Sequence, residues 1–170
     1  MNNKVTHHMT RKVISVSPDT GIREAFFKMK EHHIRHLPVV DDNNKLIGII
    51  SDRELRRPDW VDESLDIAHV YYLDDEMSVS DVMIKEVHVI HTHGTLRKAV
   101  KLLLENNIGA TPVLDKTGAL VGMLSAVDLL RALDDMIDEE RTKKAGLQYS
   151  GNESTMAHCN SQEENEKNHR

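Results

Sequence analysis

At 170 residues the chain is long enough for one ordinary domain or one pair of half-domains, either of which buries a real core. With 39% hydrophobic and 29% charged residues and no window near the roughly 18 apolar residues of a membrane span, the composition excludes a membrane-spanning protein and fits a soluble globular one. The net charge of −6 sits unevenly: residues 58–81 carry acids and neither Lys nor Arg, and the basic excess left on the remainder is too scattered for a nucleic-acid stripe.

In chain order, residues 1–6 read as a loosely held leading segment with Val5 as its apolar anchor. The start, MNNKVTHHMTRK, lacks an apolar signal core, and the one cysteine, Cys159, cannot form an internal disulfide; both fit a reducing, cytoplasmic location. Val13 to Val16 predicts a short strand. Ser17-Pro18-Asp19-Thr20 then opens a helix whose apolar face is Ile22, Ala25, Phe26 and Met29, at i, i+3, i+4 and i+7. LPVVD, a polar turn DDNNK and KLIGIIS follow as strand, turn and strand. Ser51, three residues before Glu54, marks a second helix start.

Arg57-Pro58 ends the regular pattern, since the residue before a proline is disfavoured in a helix. Residues 58–80 read as an acidic linker, with a short helix from about Glu63 to Leu73. Ser80-Asp81-Val82-Met83 opens the next part, with a strand at Val87 to Ile90 and a helix face of Leu96, Ala99, Val100 and Leu103. After a second strand, turn and strand, Ser125 precedes Asp128 by three residues. A closing helix from Ala126 to Lys144 carries the stripe Leu129, Leu130, Leu133, Met136 and Ile137, a face suited to a second copy of the chain. Residues 145–170 are almost without apolar side chains and read as disordered.

The two halves are one sequence written twice. A shift of 74 positions lays Met9 on Met83, Val13 on Val87, Ala25 on Ala99, Ile34 on Ile108, Pro38 on Pro112, Asp41 on Asp115, Gly48 on Gly122, Ser51 on Ser125 and Leu55 on Leu129. A repeat of this length means two copies of one supersecondary unit packed by pseudo-two-fold symmetry.

The order β-α-β-β-α with Pro-Val-Val/Leu-Asp and Gly-h-h-Ser-x-x-acid (h apolar), given twice in tandem, resembles a cystathionine-β-synthase (CBS) domain pair, or Bateman module. The runs IRHLPVVD and GIISDRELR, with the acidic segment between repeats, are similar to the stand-alone acetoin-utilisation protein B type. The resemblance implies an α/β (α+β) fold of two tandem repeats, 7–57 and 81–144, packed through their sheets, and discs built from two chains. It also implies a regulatory module that binds an adenosine-containing ligand (AMP, ADP, ATP or S-adenosylmethionine) in the cleft between repeats and signals to a partner protein. The adenine walls would be Val13, Ile14, Ile34 and Pro38, and in repeat two Val87, His88, Ile108 and Pro112.

Ser125 and Asp128 lead the ligand candidates, because a helix start attracts anions and a carboxylate can accept both ribose hydroxyls. Ser51 and Glu54 are their counterparts, ranked second because a longer carboxylate folds back more readily onto its own helix start. The plain alternative for both pairs is a capping box that satisfies backbone donors. Arg35, His36 and Arg53 are candidates for phosphates, against a reading as solvated surface cations. Gly48 and Gly122 are counted with the ligand-site candidates beside Ser51 and Ser125; as single strand glycines, their plain reading is close backbone approach. The histidines His7-His8, His32-His33-His36 and His88-His91-His93 match no zinc-finger or His-Glu-x-x-His spacing, so no metal site is expected. No nucleophile stands at a recognisable spacing from a base, so no catalysis is expected either. The rival readings are an interaction scaffold with vestigial clefts and a metal-dependent enzyme using the histidines.

Overall fold

The computed structural model describes residues 3–55 and 76–143. The short helix expected at Glu63 to Leu73 and the tail lie outside the described residues. The chain divides into two compact units, residues 1–129 and 130–170, and each is taken by itself.

The first unit holds the strands of both repeats. In repeat one, helix α1 (Ile22–Glu31) precedes β1 (His36–Val40) and β2 (Leu46–Ser51), which pair antiparallel with Val39 opposite Gly48. Repeat two has a short helix α2 (Val79–Val82), then β3 (Ile90–His91), α3 (Leu96–Glu105), β4 (Ala110–Leu114) and β5 (Leu120–Ser125). Strand β3 runs parallel to β4, which pairs antiparallel with β5, Val113 opposite Gly122. Both hairpins break register at the same place, between Val39 and Val40 and between Val113 and Leu114. The repeated aspartates build the turns. Asp41 accepts from the N–H of Asn43 at 3.0 Å and of Lys45 at 2.8 Å, and Asp115 from Thr117 at 2.8 Å and Ala119 at 3.0 Å.

Helix α1 buries Ile22, Ala25, Phe26 and Met29 as its spacing predicts, while α3 buries Leu96, Ala99 and Leu103 but leaves Val100 exposed. Ile22, Leu37, Ile50 and Leu55 are fully buried in repeat one, each worth about 1.5–3 kcal/mol relative to exposure. The two leading strands are shorter than expected. Of Val13 to Val16, Val16 alone bridges to Val39, and the second strand begins at Ile90 instead of Val87. The Val13 N–H turns back to the Arg11 carbonyl at 3.0 Å and that of Val87 to Lys85 at 3.1 Å, so donors a ladder would use close local turns.

The repeats exchange their leading segments. Val5 and Met9 belong to the core of repeat two, and Val79, with Met77, Val82 and Met83 packed against it, belongs to the core of repeat one. Thr10 and Met123 exchange backbone hydrogen bonds of 2.8 and 2.9 Å, and Ile84 and Ile49 exchange bonds of 2.9 and 3.0 Å. The leading segment is therefore held firmly: Val5 is fully buried and donates to the Gly94 carbonyl at 3.0 Å. The start of α2 is Ser78, not Ser80, with a capping box in which the Ser78 N–H donates to Asp81 at 2.9 Å.

The closing helix, α4, spans residues 126–143. In the second unit it buries Ala132 and exposes Leu130, Leu133 and Ile137.

Candidate functional site

The exchange of leading segments builds a cleft from both repeats. Repeat one contributes His36 from β1, Ile49 and Ser51 from β2, and Arg53 and Glu54 just beyond. Repeat two contributes the segment Ile84, Glu86, Val87 and His88, and Ile108, Gly109 and Ala110 at the start of β4. Ile84 is held there by its paired hydrogen bonds to Ile49, and the His88 carbonyl accepts the Thr111 hydroxyl at 2.8 Å. The result is an apolar slot of Ile49, Val87 and Ile108 with polar groups along its edge.

At that edge the Glu54 carboxylate accepts the Ser51 N–H at 2.7 Å and the Ser51 hydroxyl at 2.6 Å through one oxygen, and Ser51 Oγ accepts the Arg53 N–H at 3.3 Å. Asp128 makes the same pair of contacts to Ser125, at 2.8 and 2.6 Å, and Ser125 Oγ accepts the Asp128 N–H at 3.3 Å. Glutamate thus accepts the same two donors as aspartate despite its extra methylene, but the serine oxygen takes the N–H two residues on in repeat one and three residues on, at the start of α4, in repeat two. Position differs too. Ser51 and Glu54 line this cleft, whereas Ser125, Asp128 and Gly122 do not.

Of the adenine-wall candidates, Val87, His88 and Ile108 line the cleft and Pro112 is buried within β4. Val13 and Pro38 are not in its wall, and Ile14 and Ile34 pack on the core of repeat one. Gly48 faces Met83 instead, because a Cβ there would stand 2.5 Å from the Met83 sulfur; Gly122 meets Met9 at the same distance. Close approach is what both glycines show, and the approaching group is a methionine of the other repeat.

The cations divide as well. Arg35 forks onto Asp52 at 3.2 and 3.3 Å and does not line the cleft, so its guanidinium is committed to a neighbour. His36 and Arg53 do line it. The His36 ring lies against Gly109, where a Cβ would come within 3.1 Å of Cε1. Gly109 is the repeat-two counterpart of Arg35, so the place of a long side chain in one repeat is left empty in the other for an imidazole. Burial pushes the His36 pKa below the usual 6.5; Asp52 and Glu54 oppose that shift, while Arg35 and Arg53 add to it.

Ile49, Ile84 and Glu86 escaped the sequence reading. Their signal was alternation: Ile84, Glu86 and His88 take every second place in one segment, as Ile49, Ser51 and Arg53 do in another. Among the described residues, no group of three or more His, Cys, Asp or Glu side chains is placed to hold a metal, and no helix is long and apolar enough to cross a membrane.

Residues 5–59 and 79–135 each match the CBS domain. The chain belongs to the CBS domain family. Its two copies form the tandem mixed α/β arrangement of a CBS pair, as the repeat and its motifs predicted. An uncharacterized 17.7 kDa protein of Acidianus ambivalens is 31% identical over 136 residues, which cover 80% of this chain and 76% of that one. The CBS-pair protein CBSX2 of Arabidopsis thaliana, solved in complex with AMP, superposes with a TM-score of 0.67 at 28% identity, covering 79% of this chain and 99% of the other. A putative acetoin utilization protein of Vibrio cholerae gives a TM-score of 0.66 at 25% identity over 84% of this chain and 98% of its own, in keeping with the subgroup that the sequence resembles.

Proposed function

We propose that this CBS pair is a regulatory module without chemistry of its own, which binds an adenosine-containing ligand between its repeats and passes the occupancy to a partner protein. The observation that carries this reading is the cleft itself. An apolar slot of Ile49, Val87 and Ile108 suits a purine face, and Ser51 and Glu54 stand at its edge beside His36 and Arg53, the residue types that meet ribose hydroxyls and phosphates. The AMP complex of CBSX2 supports the ligand class, which takes in AMP, ADP, ATP and S-adenosylmethionine. On this reading Ser51 and Glu54, not Ser125 and Asp128, serve the ligand first. The exposed Leu130, Leu133 and Ile137 of α4 support a homodimer, and the location is cytoplasmic.

A second reading has its own observation. Both Ser-x-x-acid pairs already close onto themselves, as an interaction scaffold with vestigial clefts would have them. Equilibrium dialysis with AMP, ADP, ATP and S-adenosylmethionine separates the two. Saturable binding of any of them supports the regulatory module, and retention of none in millimolar ligand leaves the scaffold.

A further inference from the structure

Repeat two carries another concavity, which shares no lining residue with the cleft. It lies between the turn after β3 and one side of α3, and its polar side chains are His91, His93, Lys98, Lys101 and Glu105. The turn is tightly held. The Gly94 N–H donates to the His91 carbonyl at 2.7 Å, the Thr92 N–H to the Leu114 carbonyl at 2.9 Å, and the Gly94 carbonyl accepts the Val5 N–H at 3.0 Å. No side chain fits at Gly94, where a Cβ would stand 2.7 Å from Ile90 Cγ1. The turn so fixed sets His91 and His93 side by side, ring centroids 5.5 Å apart and planes 9° from parallel. Across from them Lys101 pairs with Glu105 at 3.4 Å, which leaves the Lys98 charge uncompensated by any carboxylate of the concavity.

The duplication supplies an internal comparison. At the positions of His91, His93, Lys98 and Lys101, repeat one has Ser17, Asp19, Glu24 and Phe27. The fold is built equally well on acidic and apolar residues there, so packing does not require the basic set of repeat two. A metal suits the set poorly: two imidazoles alone leave coordination incomplete, no third His, Cys, Asp or Glu joins them among the described residues, and two ammonium groups repel a cation.

We propose that this concavity binds a multiply charged phosphate anion, with Lys98 supplying the charge that Glu105 does not offset, Lys101 turning from Glu105 to the anion, and His91 and His93 donating hydrogen bonds. The anion is either free or the phosphate chain of a larger metabolite; the recognising chemistry is the same. The proposal does not depend on the adenosine reading of the cleft.

The test is calorimetric titration of the full chain with pyrophosphate, with ATP and with zinc, near neutral pH. The variant transplants the residues of repeat one, as His91→Ser, His93→Asp and Lys98→Glu, which the fold already accommodates at equivalent places. Pyrophosphate affinity should fall at least about tenfold, with the melting temperature in anion-free buffer held. Loss of an ATP site on the same transplant identifies a nucleotide's phosphate chain as the occupant, and an ATP isotherm left unchanged identifies a free anion. The proposal is overturned if wild type takes up no pyrophosphate, if the transplant binds it as well as wild type, if Arg53→Ala is what abolishes its binding, or if wild type binds zinc through the histidines and no anion.

Discussion

Met83 lies across Gly48 so closely that a Cβ on the glycine would stand 2.5 Å from the methionine sulfur. Since Ile49 and Ile84, the next residues along, exchange two backbone hydrogen bonds, the strand and the leading segment of the other repeat cannot separate locally to make room. Gly48→Ala should therefore destabilise by about 1–3 kcal/mol, the usual cost of overpacking, lowering the melting temperature by roughly 2–4 °C per kcal/mol in a chain of this size. Shortening the neighbour in the double variant Gly48→Ala with Met83→Ala should recover part of that loss relative to Met83→Ala alone. Denaturant melts of the four proteins form the cycle, and additive losses would show that the contact is not the cause.

Stability should depend on pH through His36. Burial lowers its pKa in the folded chain below 6.5, so between the folded and unfolded values the unfolded chain binds more protons and stability rises with pH. The contribution is fully present above the unfolded value and is lost as pH falls through it toward the folded one. His36→Gln should flatten this part of the stability profile below about pH 6.5. An unchanged slope in urea melts across that range would rule His36 out as the source.

The two arginines of repeat one should behave differently toward AMP. Arg53 lines the cleft, and a charge-assisted bond from it is worth roughly 1.5–3 kcal/mol, so Arg53→Ala should weaken binding at least about tenfold. Arg35 is held by Asp52 outside the wall, and Arg35→Ala should change affinity by less than about threefold. Equal losses measured by equilibrium dialysis would mean that Arg35 leaves its partner when the nucleotide arrives.

The acids give the complementary comparison. Glu54→Gln should weaken AMP binding more than Asp128→Asn, because Glu54 stands at the wall of the cleft. Asp128 accepts from Ser125 at the start of α4, so Asp128→Asn should also melt lower, by the order of 1 kcal/mol that a cap is worth. A greater loss of AMP binding in Asp128→Asn would put the ligand at the other Ser-x-x-acid pair.

Several features were legible because their causes are short-ranged. The hairpins, the polar turns between their strands and the buried face of α1 follow from β-branched runs, turn residues and helical spacing within a few residues, as does the face of α3 apart from the exposed Val100. The family entered through the resemblance of the repeated motifs to a CBS pair, which the family match over both repeats bears out. In a duplicated chain, however, every segment has two partners that suit it about equally, its own copy and the other, and local sequence does not choose between them. The tertiary structure chose the exchange, laying Met9 on Gly122 and Met83 on Gly48 and bringing Ile84, Glu86, Val87 and His88 beside Ser51 and Glu54. It also sent Arg35 to Asp52 and left the place of a side chain at Gly109 to the ring of His36. These outcomes rest on packing volume and pairing between residues far apart in the chain, which is settled only when both repeats are assembled.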